Sequence, residues 1–199
     1  GSYSKTLPGL DIGGRVITSD HALKLNFVPK SVIVLGGGVI GVEFASIWRS
    51  FGAEVTIIEG LPHLVPNEEE SISKALERAH RKRGIDYKLG VRFSGVEQTD
   101  TSVTAVLEDG TRVEAELMLV AVGRGPNTAG LGYEEQGLTM DRGWVITNER
   151  LQTNLPGVYA AGDIVPGVQL AHRGFQQGIF IAEDIAGLAP AVIDEDGIP

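Results

Sequence analysis

The stretch VIVLGGGVIGVEFASIWRSFGAEVTIIEG, residues 32–60, constrains the fold more than any other. The run KSVIVLGG is short, apolar and β-branched, as expected of a buried parallel strand. Residues 39–51 follow with helical patterning, and Gly52 ends them. AEVTIIE reads as the next buried strand. Gly36, Gly38 and Gly41 complete a G-x-G-x-x-G pattern between the first strand and the helix. In a chain with 27 glycines the pattern alone is weak. Its place in a full strand–helix–strand unit gives it meaning.

The chemistry of that unit is dinucleotide binding. Gly36 permits the tight turn, and Gly38 lets the backbone approach a pyrophosphate where a Cβ would collide. Gly41 lets the helix pack on the strand. The phosphates then rest on N–H groups left unpaired at the helix start. Glu59 ends the second strand about 20 positions later, where an acid accepts hydrogen bonds from the adenosine ribose. A 2′-phosphate there would meet a carboxylate followed by Gly60 and Leu61, with no arginine beside it. The residues therefore predict NAD over NADP. Glu43 reads in two ways, as an acid complementing the helix dipole in the first turn or as a side chain aimed along the cofactor toward the nicotinamide.

Further on, PNEEESISKALERAHRKRG carries acids at its start, bases at its end and Gly84 as a stop, which predicts a second helix. Ser19 and Asp20 are expected caps of a short helix over 19–25. VRFSGVEQTD, SVTAVLEDG and RVEAELMLVAVG are short strands with Asp109-Gly110 as a hairpin turn. They predict an antiparallel meander returning to a buried strand over 117–122. A short strand is expected over 157–161, then Gly162-Asp163, a loop, and an amphipathic helix stopped by Gly187.

Composition narrows the partners. A net charge of −9 and a pI near 4.9 argue against nucleic acid, which calls for a Lys/Arg surplus. No apolar run approaches the roughly 20 residues of a membrane helix. The chain opens without a charged-then-apolar leader, so a cytoplasmic location is expected. Zero cysteines excludes a disulfide, a thiolate metal site and a cysteine nucleophile within these 199 residues. No histidine pair has convincing metal-ligand spacing, and His21, His63 and His80 are expected at the surface. Phe44, Trp48 and Phe51 are expected to form a core stripe on the first long helix.

GGGVIGVEFASIW, VTIIE, VAVGRGPNT, VYAAGDIV and QLAHRGFQQG stand in the order and spacing of one family. The chain resembles the dihydrolipoamide dehydrogenases, among the two-dinucleotide flavoprotein disulfide reductases, from about Leu7 to Gly187. The resemblance implies an α/β fold: a Rossmann-like parallel sheet, an antiparallel three-stranded meander and part of a second α/β FAD domain. It divides the chain into an entry segment, 1–25, an NAD-binding domain, 26–147, and a C-terminal piece of the FAD domain with a linker, 148–199.

It also implies roles. Gly36, Gly37, Gly38, Val39, Ile40, Gly41 and Val42 would contact the NAD phosphates, and Glu43 the nicotinamide end. Glu59 would hold the adenine ribose, Phe93 would border the adenine and Gly123 would lie beside the nicotinamide. Asp163 resembles the acid that bonds the flavin ribityl chain; read alone, it is a turn or helix cap. Gln169, Leu170, Ala171 and His172 resemble the segment whose backbone faces the flavin ring.

The family also carries an earlier G-x-G-x-x-G unit, a Cys-x4-Cys redox pair and a C-terminal interface domain, none of which is in this chain. The expectation is an NAD-binding portion of an FAD-dependent enzyme, catalytically incomplete alone, with no catalytic residue and no metal site of its own. The whole enzyme would be a homodimer serving the lipoyl domain of a 2-oxoacid dehydrogenase complex. The alternatives are a piece of an NADH oxidase or related reductase, and a free-standing NAD-binding module.

Overall fold

A computed structural model describes residues 1–198; Pro199, the last of the expected 148–199 segment, lies outside the described residues. Among the described residues twelve strands and four α-helices occur in chain order: β1 (Ser2–Ser4), β2 (Val16–Thr18), α1 (Ser19–Ala22), β3 (Ser31–Leu35), α2 (Val39–Ser50), β4 (Glu54–Ile58), α3 (Glu70–Lys82), β5 (Ile85–Lys88), β6 (Phe93–Gln98), β7 (Val103–Leu107), β8 (Arg112–Ala115), β9 (Leu117–Val120), β10 (Arg124–Pro126), β11 (Met140–Asp141), β12 (Trp144–Val145) and α4 (Ala171–Ile185). They divide into two compact units, Ser4–Gly123 and Gly1–Tyr3 with Arg124 onward. Val16–Thr18 is a strand of the first unit's sheet, and that unit ends at Gly123, three residues after β9.

The first unit is built on a parallel sheet of order β2-β9-β3-β4-β5. β3 lies at its centre, Val34 opposite Ile57 on one side and Leu119 on the other. Successive residues of a strand face opposite ways. Val32 and Val34 accordingly join Val42, Ala45 and Trp48 of α2 in one core layer. Ile33 and Leu35 join Val103, Ala105 and Leu107 of the meander in the other. A centre strand covered on both faces explains why β3 has no polar alternation. Ile33 is completely buried, worth about 1.5–3 kcal/mol of apolar transfer.

The helix ends follow the sequence signals. Gly52 and Gly84 take φ of +95° and +74° after α2 and α3, where a side chain would be strained. Glu70 stands in the first turn of α3 and His80, Arg81 and Lys82 in its last. α1 is shorter than expected and is capped by Thr18, whose N–H donates to His21 Nδ1 at 3.3 Å. The meander forms as β6-β7-β8, with the Asp109 carboxylate accepting from Thr111 N at 2.8 Å in the expected turn.

The parallel edge strand β5, with the polar alternation IDYK, was not expected. Two further side-chain assignments change. Phe51 is 65% exposed, so the core stripe is Trp48 with half-buried Phe44, rings 5.3 Å apart. His80 is 4% exposed rather than at the surface, because it falls on the face of α3 that is buried.

In the second unit Val145, Ala160 and Val165 form a small core with Tyr133, Leu138 and Met140 packed on it. The unexpected hairpin β11-β12 pairs Met140 with Val145. Residues 157–161 do not form the expected strand. One bridge, Gln152 to Tyr159, is their whole ladder, since no other described strand lies alongside to pair their backbone. α4 forms as expected, with Gly187 at φ +76° two residues past its end.

Candidate functional site

In a parallel sheet all strands end on one edge, and ligands collect where successive strands turn to opposite sides. Here the chain runs β3 to β4 to β5 in one direction, while β9 lies on the other side of β3. The reversal falls between β3 and β9. Gly36 follows β3, Glu59 follows β4 and Gly123 comes three residues after β9, so one edge holds all three expected cofactor positions. Ala121 N donates to Leu35 O at 2.7 Å and Gly36 N to Ile58 O at 2.8 Å, tying the strand ends together.

Each glycine of the turn has a distinct physical reason. A Cβ on Gly36 would lie 2.3 Å from Ala121 O, and its φ is +111°. A Cβ on Gly41 would lie 2.0 Å from Gly36 O, so the helix sits directly on the turn. A Cβ on Gly38 would meet nothing within 4 Å. Gly38 therefore faces open space. It is also the N-cap of α2 and offers no side chain, leaving the first-turn amides of Val39, Ile40 and Gly41 without an intrahelical partner. A helix start of this kind suits an anion.

Gly37 is fixed from both sides. Its N–H donates to Glu59 Oε2 at 2.6 Å, and its carbonyl accepts from Val65 N at 2.8 Å. Val65 holds a φ of +43°, an uncommon conformation for a β-branched residue. The other oxygen of Glu59 accepts from Leu61 N at 2.8 Å. Each carboxylate oxygen thus spends one lone pair on backbone and keeps capacity for hydroxyl donors. The fit to a dinucleotide rests on these residues alone.

The remaining expected positions are less concentrated. Glu43 is exposed. α2 begins at Val39 with no acid in its first turn, so Glu43 belongs to the second turn and the dipole reading weakens. Phe93 is half-buried and packs on the layer that contains Leu35 and Ile58. Gly123 is exposed with φ +113°, and its carbonyl accepts from Lys5 N at 3.0 Å.

In the second unit Asp163 lies in a 3-10 turn, Gly162–Ile164, and its carboxylate accepts from Ser2 Oγ at 2.9 Å. Gln169 Nε2 donates to the Asp163 carbonyl at 3.3 Å. Leu170 is the N-cap of α4 with no side-chain cap, and Ala171 and His172 open the helix. The turn that carries Asp163 is thus tied by its carbonyl to the segment that leads into α4. The pair Gln177 and Arg173, both buried on α4, was missed by sequence reading. Polar residues on the inner stripe of an amphipathic helix were the available signal.

Burial lowers the His80 pKa below the usual imidazole value; the backbone carbonyls of Val42 and Leu76 oppose the shift, and Arg83 adds to it. Among the described residues no three His, Asp or Glu side chains gather as a metal site, and no helix is long and apolar enough to cross a membrane.

The pyridine nucleotide-disulphide oxidoreductase family model matches residues 1–178. The dihydrolipoyl dehydrogenase of Bacillus subtilis is 40% identical over 205 residues, covering 100% of this chain and 43% of that protein. Among solved structures, LpdA of Mycobacterium tuberculosis superposes with a TM-score of 0.89 at 30% identity, covering 98% of this chain and 43% of that one. RclA of Escherichia coli, described as an HOCl-induced flavoprotein disulfide reductase, gives 0.89 at 28% identity, with 98% and 45% covered. The chain spans less than half the length of these relatives.

Proposed function

The chain belongs to the pyridine nucleotide-disulphide oxidoreductase family, and we propose that it is the NAD-binding portion of an FAD-dependent dihydrolipoyl dehydrogenase, joined to one part of the flavin domain. The observation that carries the reading is the glycine turn at the sheet's reversal point with Glu59 bonded to it. The turn and the start of α2 take the pyrophosphate, Glu59 takes the ribose hydroxyls, and Phe93 borders the adenine. Glu43 and Gly123 flank the nicotinamide. Bound FAD would supply electron transfer from a dithiol to the nicotinamide. Asp163 and the start of α4 would hold its ribityl chain and ring edge.

The chain alone is catalytically incomplete on this reading. It has one dinucleotide turn and no thiol, and dithiol oxidation needs thiolates. In the whole enzyme we place a second, identical subunit and a lipoyl domain of a 2-oxoacid dehydrogenase complex as partners, in the cytoplasm. The test is reduction of NAD by dihydrolipoamide with the purified 199-residue chain. No turnover, and no yellow flavin retained through purification, is the expected result; turnover would refute the reading.

A second reading is the corresponding portion of another flavoprotein disulfide reductase. The equal superposition on RclA favours it. Activity of the enzyme containing this sequence with dihydrolipoamide, against other disulfide substrates, separates the two.

A further inference from the structure

Gln177 is completely buried on the inner face of α4, yet both ends of its amide are used. Its Oε1 accepts from Gly162 N at 2.7 Å, and its Nε2 donates to Glu195 Oε1 at 3.2 Å. The orientation is fixed by chemistry, since a backbone N–H can only donate and must face the amide oxygen. Gly162 opens the turn that carries Asp163, and it sits at φ +75°, where glycine has the widest conformational freedom. α4 touches the turn closely, a Cβ on Gly174 lying 3.5 Å from Gly162 Cα. Gly174 and Gln177 are three residues apart and share that face.

The far end of the relay is also anchored. Glu195 accepts from Arg173 Nε at 2.6 Å and Nη2 at 3.1 Å. Arg173 is 3% exposed and also donates to Pro166 O at 2.6 Å and Val168 O at 3.3 Å. These carbonyls lie in the loop between the turn and α4. The C-terminal segment, the loop and the turn thus meet at two side chains of one helix.

We propose that Gln177 is a positioning residue for the flavin side of the protein: it holds the Gly162–Ile164 turn, and so the Asp163 carboxylate, against α4. Glu195 fixes the amide in that orientation. The role of Asp163 toward a flavin rests on the reading given under Proposed function; the relay itself does not.

Amide hydrogen exchange by NMR on the 199-residue chain tests it without any cofactor. Gln177→Met keeps length and removes both hydrogen bonds. It is expected to speed exchange at Gly162 about tenfold while amides near the middle of α4 stay slow. Unchanged Gly162 exchange overturns the proposal. Glu195 is about half exposed, with 45% of its side chain in solvent, and can be varied without touching the core. Glu195→Ala is expected to speed Gly162 exchange about threefold, and Glu195→Gln, which keeps an oxygen acceptor, to restore it. If Gln177→Met does not fold, these two decide. No change in Glu195→Ala, or no restoration in Glu195→Gln, overturns the relay.

Titration with FAD, followed at the Gly162 and Asp163 resonances, separates the two claims. Exchange as expected with no FAD-dependent shift removes the flavin reading and leaves the relay. Unchanged exchange removes the relay whether or not FAD shifts the resonances.

Discussion

The Glu59 carboxylate accepts the Gly37 amide hydrogen across 2.6 Å, joining the acid at the end of one strand to the glycine turn after its neighbour. With the second bond from Leu61 N, the acid is oriented before any ligand arrives. Preorganisation of this kind lowers the ordering cost of binding.

Removing the acid should therefore weaken the fold as well as binding. Glu59→Ala strands the donor of buried Gly37 and leaves that of exposed Leu61 to water. A loss of about 1–3 kcal/mol in urea unfolding is expected, together with weaker NAD binding in calorimetry. Full stability in the variant would show that these bonds do not hold the turn.

The glycines should separate stability from affinity. Gly41→Ala puts a Cβ 2.0 Å from a backbone oxygen and is expected to cost about 1–3 kcal/mol or more of stability. Gly38→Ala meets no protein atom and its φ of −71° suits alanine. Its stability should stay within about 1 kcal/mol, the loss of a glycine N-cap, while NAD affinity falls at least about tenfold. Thermal unfolding and calorimetry on the two variants read both quantities.

Legibility of the sequence followed how locally each signal is written. The turn, α2, β4 and the meander were readable because glycines, helix ends and β-branched runs are local. β5 was not, because an edge strand with polar alternation resembles a loop until a neighbour pairs with it. Residues 157–161 failed in the opposite sense: their apolar pattern suits a strand, but a strand exists only with partners. Gln177 and Arg173 show a third case: their place on the inner stripe of α4 is legible, but their partners are not, since the contacts come from a turn and a tail distant in sequence.

The aromatic stripe gives a direct contrast. Trp48→Ala is expected to cost about 3–5 kcal/mol, as for other buried tryptophans. Phe51→Ser, on the exposed end of the same helix, should change stability by less than about 0.5 kcal/mol. Equal effects would return Phe51 to the core.

His80 should make stability depend on pH. Its folded pKa is lowered, chiefly by burial, so the unfolded chain takes up the proton first as pH falls. The folded state therefore has its full stability above the unfolded value of about 6.5 and loses it as pH drops through that value toward the folded one. Tm should fall between about pH 7 and pH 5, and His80→Leu should flatten that part of the profile. A profile that is unaltered by the substitution would assign the slope to other groups.

The central claim is that Glu59 makes this edge of the sheet an NAD site. Calorimetric titration of the 199-residue chain with NAD and with NADP, at one ionic strength, tests it most directly. NAD binding at least about tenfold tighter than NADP is the predicted result. Equal affinity, or tighter NADP, would contradict it.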